Sequence, residues 1–254
     1  MNSAELEQLR QAVQAAPQDI ETRVMLLQAL VATASWQEAE DVGTALLQHE
    51  PPPATVYALM GIVYAKRQRW HDAIHQCQCA LEAQPDDALL LFNLGTLLAQ
   101  QGELPAAQTS LEKAIAQYAQ WAEAQYNLGI VLLRQERYRE AIDALKRATD
   151  ARELYPEAHF SRGNAHAMRG LDTDGTLDYY ELDCAINAYK AAIQQRPGYT
   201  AALYNLGMIY GRMTSSEGVR VWDQYLEATQ EKPEEETWRL RAQEYKRDLQ
   251  DRLR

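Results

Sequence analysis

The chain has 254 residues and a formal net charge of −11, with 36 acidic against 25 basic side chains. That balance argues against a general nucleic-acid binder, because attraction to phosphate needs a basic surface. An odd count of three cysteines makes no disulfide framework, and no run is apolar and long enough to span a membrane.

The opening Met-Asn-Ser-Ala-Glu-Leu-Glu lacks a basic region followed by an apolar stretch, so a soluble, cytoplasmic protein with no secretory signal is expected. Residues 3–16 predict one amphipathic helix, with Leu6, Leu9 and Val13 on one face and Pro17 as its stop. It reads as a capping partial repeat over residues 1–19.

From there the chain repeats itself. Gly61, Gly95, Gly129 and Gly163 recur at a step of 34 residues; one step back falls on Leu27, and the next glycine in register, Gly207, comes 44 residues on. One unit has therefore gained ten residues. The predicted units are 20–53, 54–87, 88–121, 122–155, 156–199 and 200–233.

In unit 54–87, Tyr57, Met60, Gly61 and Tyr64 lie along a first helix, and Ala73, Cys77 and Ala80 along a second that Pro85 ends. The next unit supplies Leu91, Leu94, Gly95 and Leu98, then Ala107, Leu111 and Ala114. The one after supplies Leu128, Gly129 and Leu132, then Ala141, Leu145 and Ala148. An aromatic or leucine opens each second helix at Trp36, Trp70, Leu104 and Tyr138. Close approach of two helices needs small side chains where they cross, and Gly61 against Ala73 and Ala80 is expected to supply it.

Unit 200–233 is degenerate, with Thr214, Ser215 and Ser216 in its turn and Trp222 and Tyr225 at packing positions. Residues 234–254 predict a C-terminal capping helix. Its apolar stripe is Trp238, Ala242, Tyr245, Leu249 and Leu253, and its other face is charged.

In period and residue type the chain closely resembles the tetratricopeptide repeat (TPR) family over nearly its whole length. The resemblance implies an all-α, right-handed superhelical solenoid of antiparallel helix pairs with terminal capping helices. It also implies a non-catalytic scaffold, without cofactor, that grips a protein or peptide in a concave groove lined by the first helix of each unit. The family's groove positions fall on Ala58, Ile62 and Lys66; Phe92, Thr96 and Gln100; Tyr126, Ile130 and Arg134; Phe160, Asn164 and Met168; and Tyr204, Met208 and Arg212. An aromatic and aliphatic floor with Lys66, Arg134 and Arg212 at one edge suits apolar anchors and acidic flanks on a partner segment. Co-chaperones of this family clamp a C-terminal carboxylate with a set of Lys, Asn and Arg. The matching sites here are Ala58, Ile62, Asn93, Glu123 and Asn127, and only Asn93 keeps a required type, so that activity is not expected. An alternative is an assembly factor for a membrane or multi-subunit complex. TPR proteins of photosystem biogenesis are similar in size and in carrying an enlarged late repeat.

The ten-residue insertion, Leu171 to Tyr180, carries a second alternative, a calcium- or metal-responsive switch through the loop 170–181. Laid on the EF-hand loop, Asp172, Asp174, Asp178 and Glu181 take the third, fifth, ninth and twelfth positions, and Gly175 the sixth. Gly170 stands first, where the motif requires an acid, and a solvated acidic loop is the competing reading. In the same unit His159, Arg162 and His166 occupy normally apolar sites. They form either a polar site closed by the insertion's carboxylates or side chains that pack their stems and reach water. His71, His75 and Cys79 share a helix face, which offers a metal at most three ligands; a solvated face is the favoured reading. No set of residues resembles a catalytic triad, a phosphate-binding loop or a zinc-protease helix, so no enzyme is expected.

Overall fold

The computed structural model describes residues 3–49, 51–171 and 176–254. Among them the chain is α-helical, and the one extended pairing is an isolated antiparallel bridge between Leu171 and Leu177. It divides into two compact units, residues 1–119 and 120–254.

The first unit contains α1 (Ser3–Ala15), α2 (Ile20–Ala32), α3 (Trp36–Leu47), α4 (Ala54–Lys66), α5 (Trp70–Ala83), α6 (Ala88–Gln101) and α7 (Leu104–Gln117). After α1, successive helices pair as hairpins α2/α3, α4/α5 and α6/α7. Apolar spacing decides which face of each goes inward. On α6, Leu90, Leu91, Leu94, Leu97 and Leu98 are buried, a wide stripe that only a helix packed on two sides can cover. Asp19 and Asp87 start α2 and α6 by accepting from the backbone N–H of Glu21 at 3.2 Å and of Leu90 at 2.8 Å. Each such cap satisfies a donor that the helix leaves unpaired, worth about 1 kcal/mol.

The second unit contains α8 (Ala122–Arg134), α9 (Tyr138–Ala151), α10 (Pro156–Gly170), α11 (Tyr179–Gln195), α12 (Thr200–Arg212), α13 (Glu217–Ala228), a 3-10 turn (Pro233–Glu235) and α14 (Glu236–Arg252). Here the hairpins are α8/α9, α10/α11 and α12/α13, and α14 lies on α13 and α12. A core of Leu182, Tyr189, Leu203, Leu206, Trp222 and Tyr225 runs through α11 to α13 and takes in Ala242 and Leu249 from α14. The rest of the expected stripe on α14 stays partly open: Trp238, Leu253 and Tyr245 are 45%, 42% and 39% exposed.

The recurring glycines sit at helix crossings. A Cβ on Gly61, Gly95 or Gly129 would lie 2.9 Å from Cys77 Sγ, 2.7 Å from Leu111 Cγ or 2.5 Å from Leu145 Cγ. The facing residue is the sixteenth after the glycine each time. For Gly61 it is Cys77, with the Ala73 carbonyl behind it, rather than the expected pair Ala73 and Ala80. Gly163 faces Tyr189, sixteen residues on once the ten inserted ones are set aside, so the contact survives the insertion; Gly207 faces Trp222, one residue nearer in sequence. In the first hairpin the two sizes are exchanged. Leu27, fully buried, stands at the glycine position and Gly43 sixteen residues on, where the Met60 thioether from α4 fills the space a Cβ at Gly43 would occupy.

A second 34-residue beat lies in the turns. Ala34, Gln68, Gly102 and Glu136 have φ of 56°, 60°, 87° and 60°, and Thr214 follows at 51°. The next amide reaches back to the same helix carbonyl each time: Ser35 to Leu30 at 2.9 Å, Arg69 to Tyr64 at 2.9 Å, Glu103 to Leu98 at 3.0 Å, Arg137 to Leu132 at 2.9 Å and Ser215 to Tyr210 at 2.9 Å. These are Schellman closures, which need a left-handed residue at the helix end. The step after Glu136 falls on Gly170. There the pattern stops, because Gly170 remains the last residue of α10, with Leu182 2.8 Å from where its Cβ would be. The insertion starts at that point and is pinched at its base by the Leu171–Leu177 bridge and by Asp178 N–H donating to the Gly170 carbonyl at 3.0 Å.

Candidate partner-binding clefts

Every expected groove residue lies on the first helix of a hairpin. Ile62, Phe92, Thr96, Tyr126, Ile130, Phe160, Asn164, Tyr204 and Met208 are half-buried, as is Ala58, while Lys66, Gln100, Arg134, Met168 and Arg212 are exposed. In the first unit, Ile62 and Lys66 of α4 face Phe92, Thr96 and Gln100 of α6 across a cleft of about 420 Å³. Its lining also includes Trp70 and Cys77 from α5, and Asn93. In the second unit a cleft of about 420 Å³ opens between α10 and α12, lined by Asn164, Met168, Asn205, Met208 and Arg212, with Tyr189 from α11 beneath.

The two clefts occupy the same register. Stepping by the repeat carries Ile62 to Asn164, Asn93 to Asn205, Thr96 to Met208, Gln100 to Arg212 and Cys77 to Tyr189. Their chemistry differs. The first sets Ile62, Phe92 and Leu97 beside Asn93, Thr96 and Gln100, with Lys66 at its rim. The second has a polar centre, where Asn164 Oδ1 accepts from the Tyr189 hydroxyl at 2.7 Å and from Asn205 Nδ2 at 2.9 Å. Burial pushes the Tyr189 phenol well above its ordinary pKa, so it stays a donor and keeps the Asn164 amide oriented. The family positions pointed to the helix faces but missed Trp70 and Tyr189, which come from second helices. The signal for Tyr189 was its register with Cys77.

Tyr126 and Phe160 are engaged within the second unit. Tyr126 lies 5.1 Å from the Tyr155 ring, and Phe160 lies 5.1 Å from Tyr199 and 5.9 Å from Tyr189. Arg152 stands 4.6 Å over Tyr155 while pairing with Glu123, and Arg196 stands 4.8 Å over Tyr199 while pairing with Glu157. These aromatic positions therefore stiffen the joints between hairpins as well as forming the face of α8 and α10.

Of the calcium candidates, Asp172 and Asp174 lie outside the described residues. Asp178 caps α11, its Oδ1 accepting from Tyr180 N–H at 3.0 Å and Glu181 N–H at 3.2 Å. Glu181 is buried and turns inward: His166 Nδ1 lies 2.7 Å from Oε2, and Arg169 Nη1 2.5 Å from Oε1. Both oxygens are thus engaged by α10. His159 and Arg162 form a separate half-buried pair, Arg162 donating to Nδ1 of His159 at 3.4 Å and to Thr149 Oγ1 at 3.3 Å. Burial, then the adjacent guanidinium, holds His159 below its ordinary pKa. On α5, His75 lies 3.9 Å from Cys79 Sγ and 3.3 Å from Gln76 Nε2. Among the described residues no group of three or more His, Cys, Asp or Glu side chains is placed to hold a metal ion, and no helix is long and apolar enough to cross a membrane.

Stacked antiparallel hairpins, with glycine crossings at a 34-residue step and clefts between successive first helices, define a helical-repeat scaffold for protein–protein interaction. Two tetratricopeptide repeat models match the sequence, one over residues 53–120 and the other over 95–152 and 126–182. The chain belongs to the tetratricopeptide repeat family. Among solved structures it is similar to MamA, at 28% identity and a TM-score of 0.62 over 68% of this chain and 96% of that one. It is also similar in fold to YrrB, a TPR protein with an unusual peptide-binding site, at 20% identity and a TM-score of 0.66 over 78% of this chain and 96% of that one. Among curated proteins it is 28% identical over 160 residues to the human protein O-mannosyl-transferase TMTC1, covering 61% of this chain and 17% of the relative. It is 26% identical over 139 residues to the peroxisomal targeting signal receptor of Candida albicans, covering 55% of this chain and 21% of the relative. The chain therefore spans about a fifth or less of the length of these curated relatives.

Proposed function

We propose that the chain works without catalysis as an adaptor, holding a segment of a partner protein against the first helices of its hairpins. The observation that carries this reading is the pair of equivalent clefts, each about 420 Å³ and each bordered by groove positions of two successive first helices. Clefts of that size accept side chains of a docked segment. Ile62, Phe92 and Leu97 offer apolar contact in the first, and Asn164 and Asn205 offer amides to a partner's backbone in the second. Lys66 and Arg212, exposed at the rims, would steer acidic residues of the partner to these helix ends. Cys77, Cys79 and Cys184 are free thiols, the state a reducing compartment such as the cytoplasm maintains.

The test is affinity capture from cells that express the protein, compared between the wild type and the double substitution Ile62→Glu with Thr96→Glu. Charging the first cleft should abolish capture of partners held there while circular dichroism stays unchanged. A folded double variant that captures the same partners at the same yield would exclude this cleft as the site.

A further inference from the structure

We propose that a third cavity in the second unit, walled by Tyr204, Tyr225 and Trp238 with Glu235 beside them, binds the ammonium group of a lysine side chain on a partner segment. The cavity has a volume of about 310 Å³ and is completed by Thr200, Ala201 and Asn205. Its rings stand as walls and do not stack on one another: Tyr204 meets Trp238 at 83° with centroids 5.4 Å apart, and Tyr225 at 64° with centroids 5.5 Å apart. All three rings line the cavity, and the π face of such a ring attracts a cation.

Glu235 supplies the charge. Its Oε2 accepts from the Tyr225 hydroxyl at 3.2 Å, which fixes the carboxylate beside the rings. Burial of the phenol, with the carboxylate next to it, raises the Tyr225 pKa, so Tyr225 remains the donor. A purely apolar guest would strip water from that carboxylate without replacing it, and an anionic guest would be repelled. A cation on an apolar stem satisfies both parts of the lining. Lysine fits better than arginine, because one Glu235 oxygen is already engaged and a guanidinium is held best by two. The mouth is open, since Trp238 is 45% exposed, whereas Tyr225 is buried at the back.

Two native cations lie close by. Arg239 is held by the carbonyls of Thr229 at 3.1 Å and Gln230 at 2.6 Å. Arg241 stands 5.1 Å over the Trp238 ring and is not among the residues that line the cavity. Glu235 is the charged residue that lines the cavity, so the charge nearest a guest favours a positive one. Tyr204 is the groove position that it shares, and Asn205 also lines the second 420 Å³ cleft, but Tyr225, Glu235 and Trp238 line neither cleft, so a test at Glu235 and Trp238 stands or falls separately from the adaptor reading.

The test follows the indole N–H resonance of Trp238 in the 15N-labelled full chain, assigned with Trp238→Phe. The probes are N-acetyl-lysine methylamide and its neutral isostere, N-acetyl-norleucine methylamide. The lysine probe should shift the resonance with an affinity roughly tenfold tighter than norleucine, and Glu235→Gln should remove that preference. Should Glu235→Gln unfold, Trp238→Leu read by saturation transfer to the probe serves in its place, with the lysine preference again expected to be lost. Equal binding of the two probes, no shift with lysine, or an intact preference in the variant would overturn the proposal. So would a lysine shift that appears only in Arg241→Gln, since the site would then belong to the chain's own guanidinium.

Discussion

Gly129 and Leu145 meet so closely that a single added carbon would collide: a Cβ on Gly129 would lie 2.5 Å from Leu145 Cγ and 2.8 Å from its Cδ2. Carbon atoms pack at about 3.5–4.0 Å, and the struck atom is the branch point of a fully buried side chain rather than a flexible tip. Gly129→Leu should therefore destabilise the second unit by about 1–3 kcal/mol or more. Leu145→Ala, itself costly, should recover part of that loss in the double variant. Urea denaturation of the two single variants and the double variant gives the coupling, and strict additivity would refute the contact.

The left-handed turn residues offer the opposite kind of change. Gln68 and Glu136 hold φ of 60° with a side chain that disfavours it, whereas Gly102 holds 87° without strain. Gln68→Gly and Glu136→Gly should each stabilise by about 0.5–1 kcal/mol, the relief of strain exceeding the added freedom of the unfolded chain. Gly102→Ala should destabilise by about 1 kcal/mol. Shifts of denaturation midpoint in these directions, at unchanged m-value, are the expected result.

His159 makes stability depend on pH. Burial and then Arg162 depress its pKa in the folded chain below the ordinary 6.5. The unfolded chain thus binds the proton more readily, and folding stability rises with pH through this window. The contribution is complete above about pH 6.5 and is lost as pH falls through the folded value. His159→Gln should flatten the part of the melting-temperature profile between about pH 7 and 5 that this group causes. An identical profile in wild type and variant would remove His159 as its source.

Glu181 ties the insertion's end to α10 through His166 and Arg169. Glu181→Ala should cost about 1–3 kcal/mol, since it strips the half-buried His166 of its acceptor, while Arg169, 30% exposed, can turn to water. Amide exchange at Asp178, whose N–H donates to Gly170, should quicken along with it. Exchange unchanged at Asp178 would show that the insertion's base holds without this carboxylate.

Much of the architecture is legible before any coordinates. The period, the hairpins and the glycine crossings follow from residue size and spacing, because two helices can approach closely only where side chains are small. The left-handed turns are not legible at Ala34, Gln68 and Glu136, where no glycine marks them; the Schellman closures and surrounding packing impose the conformation on residues that do not favour it. By spacing Glu181 is the last ligand of a calcium loop, but spacing does not say which way a carboxylate turns. His166 and Arg169 of α10, which engage both of its oxygens, settle its direction. Residue order thus dictates that this chain stacks helical hairpins and which faces its first helices present. That Met60 fills the space beside Gly43, and that Tyr189 floors a cleft, emerges only in three dimensions. So does the gathering of Tyr204, Tyr225, Glu235 and Trp238 around one cavity. Those contacts join residues of different helices, and their meeting depends on how whole helices pack, which no local period encodes.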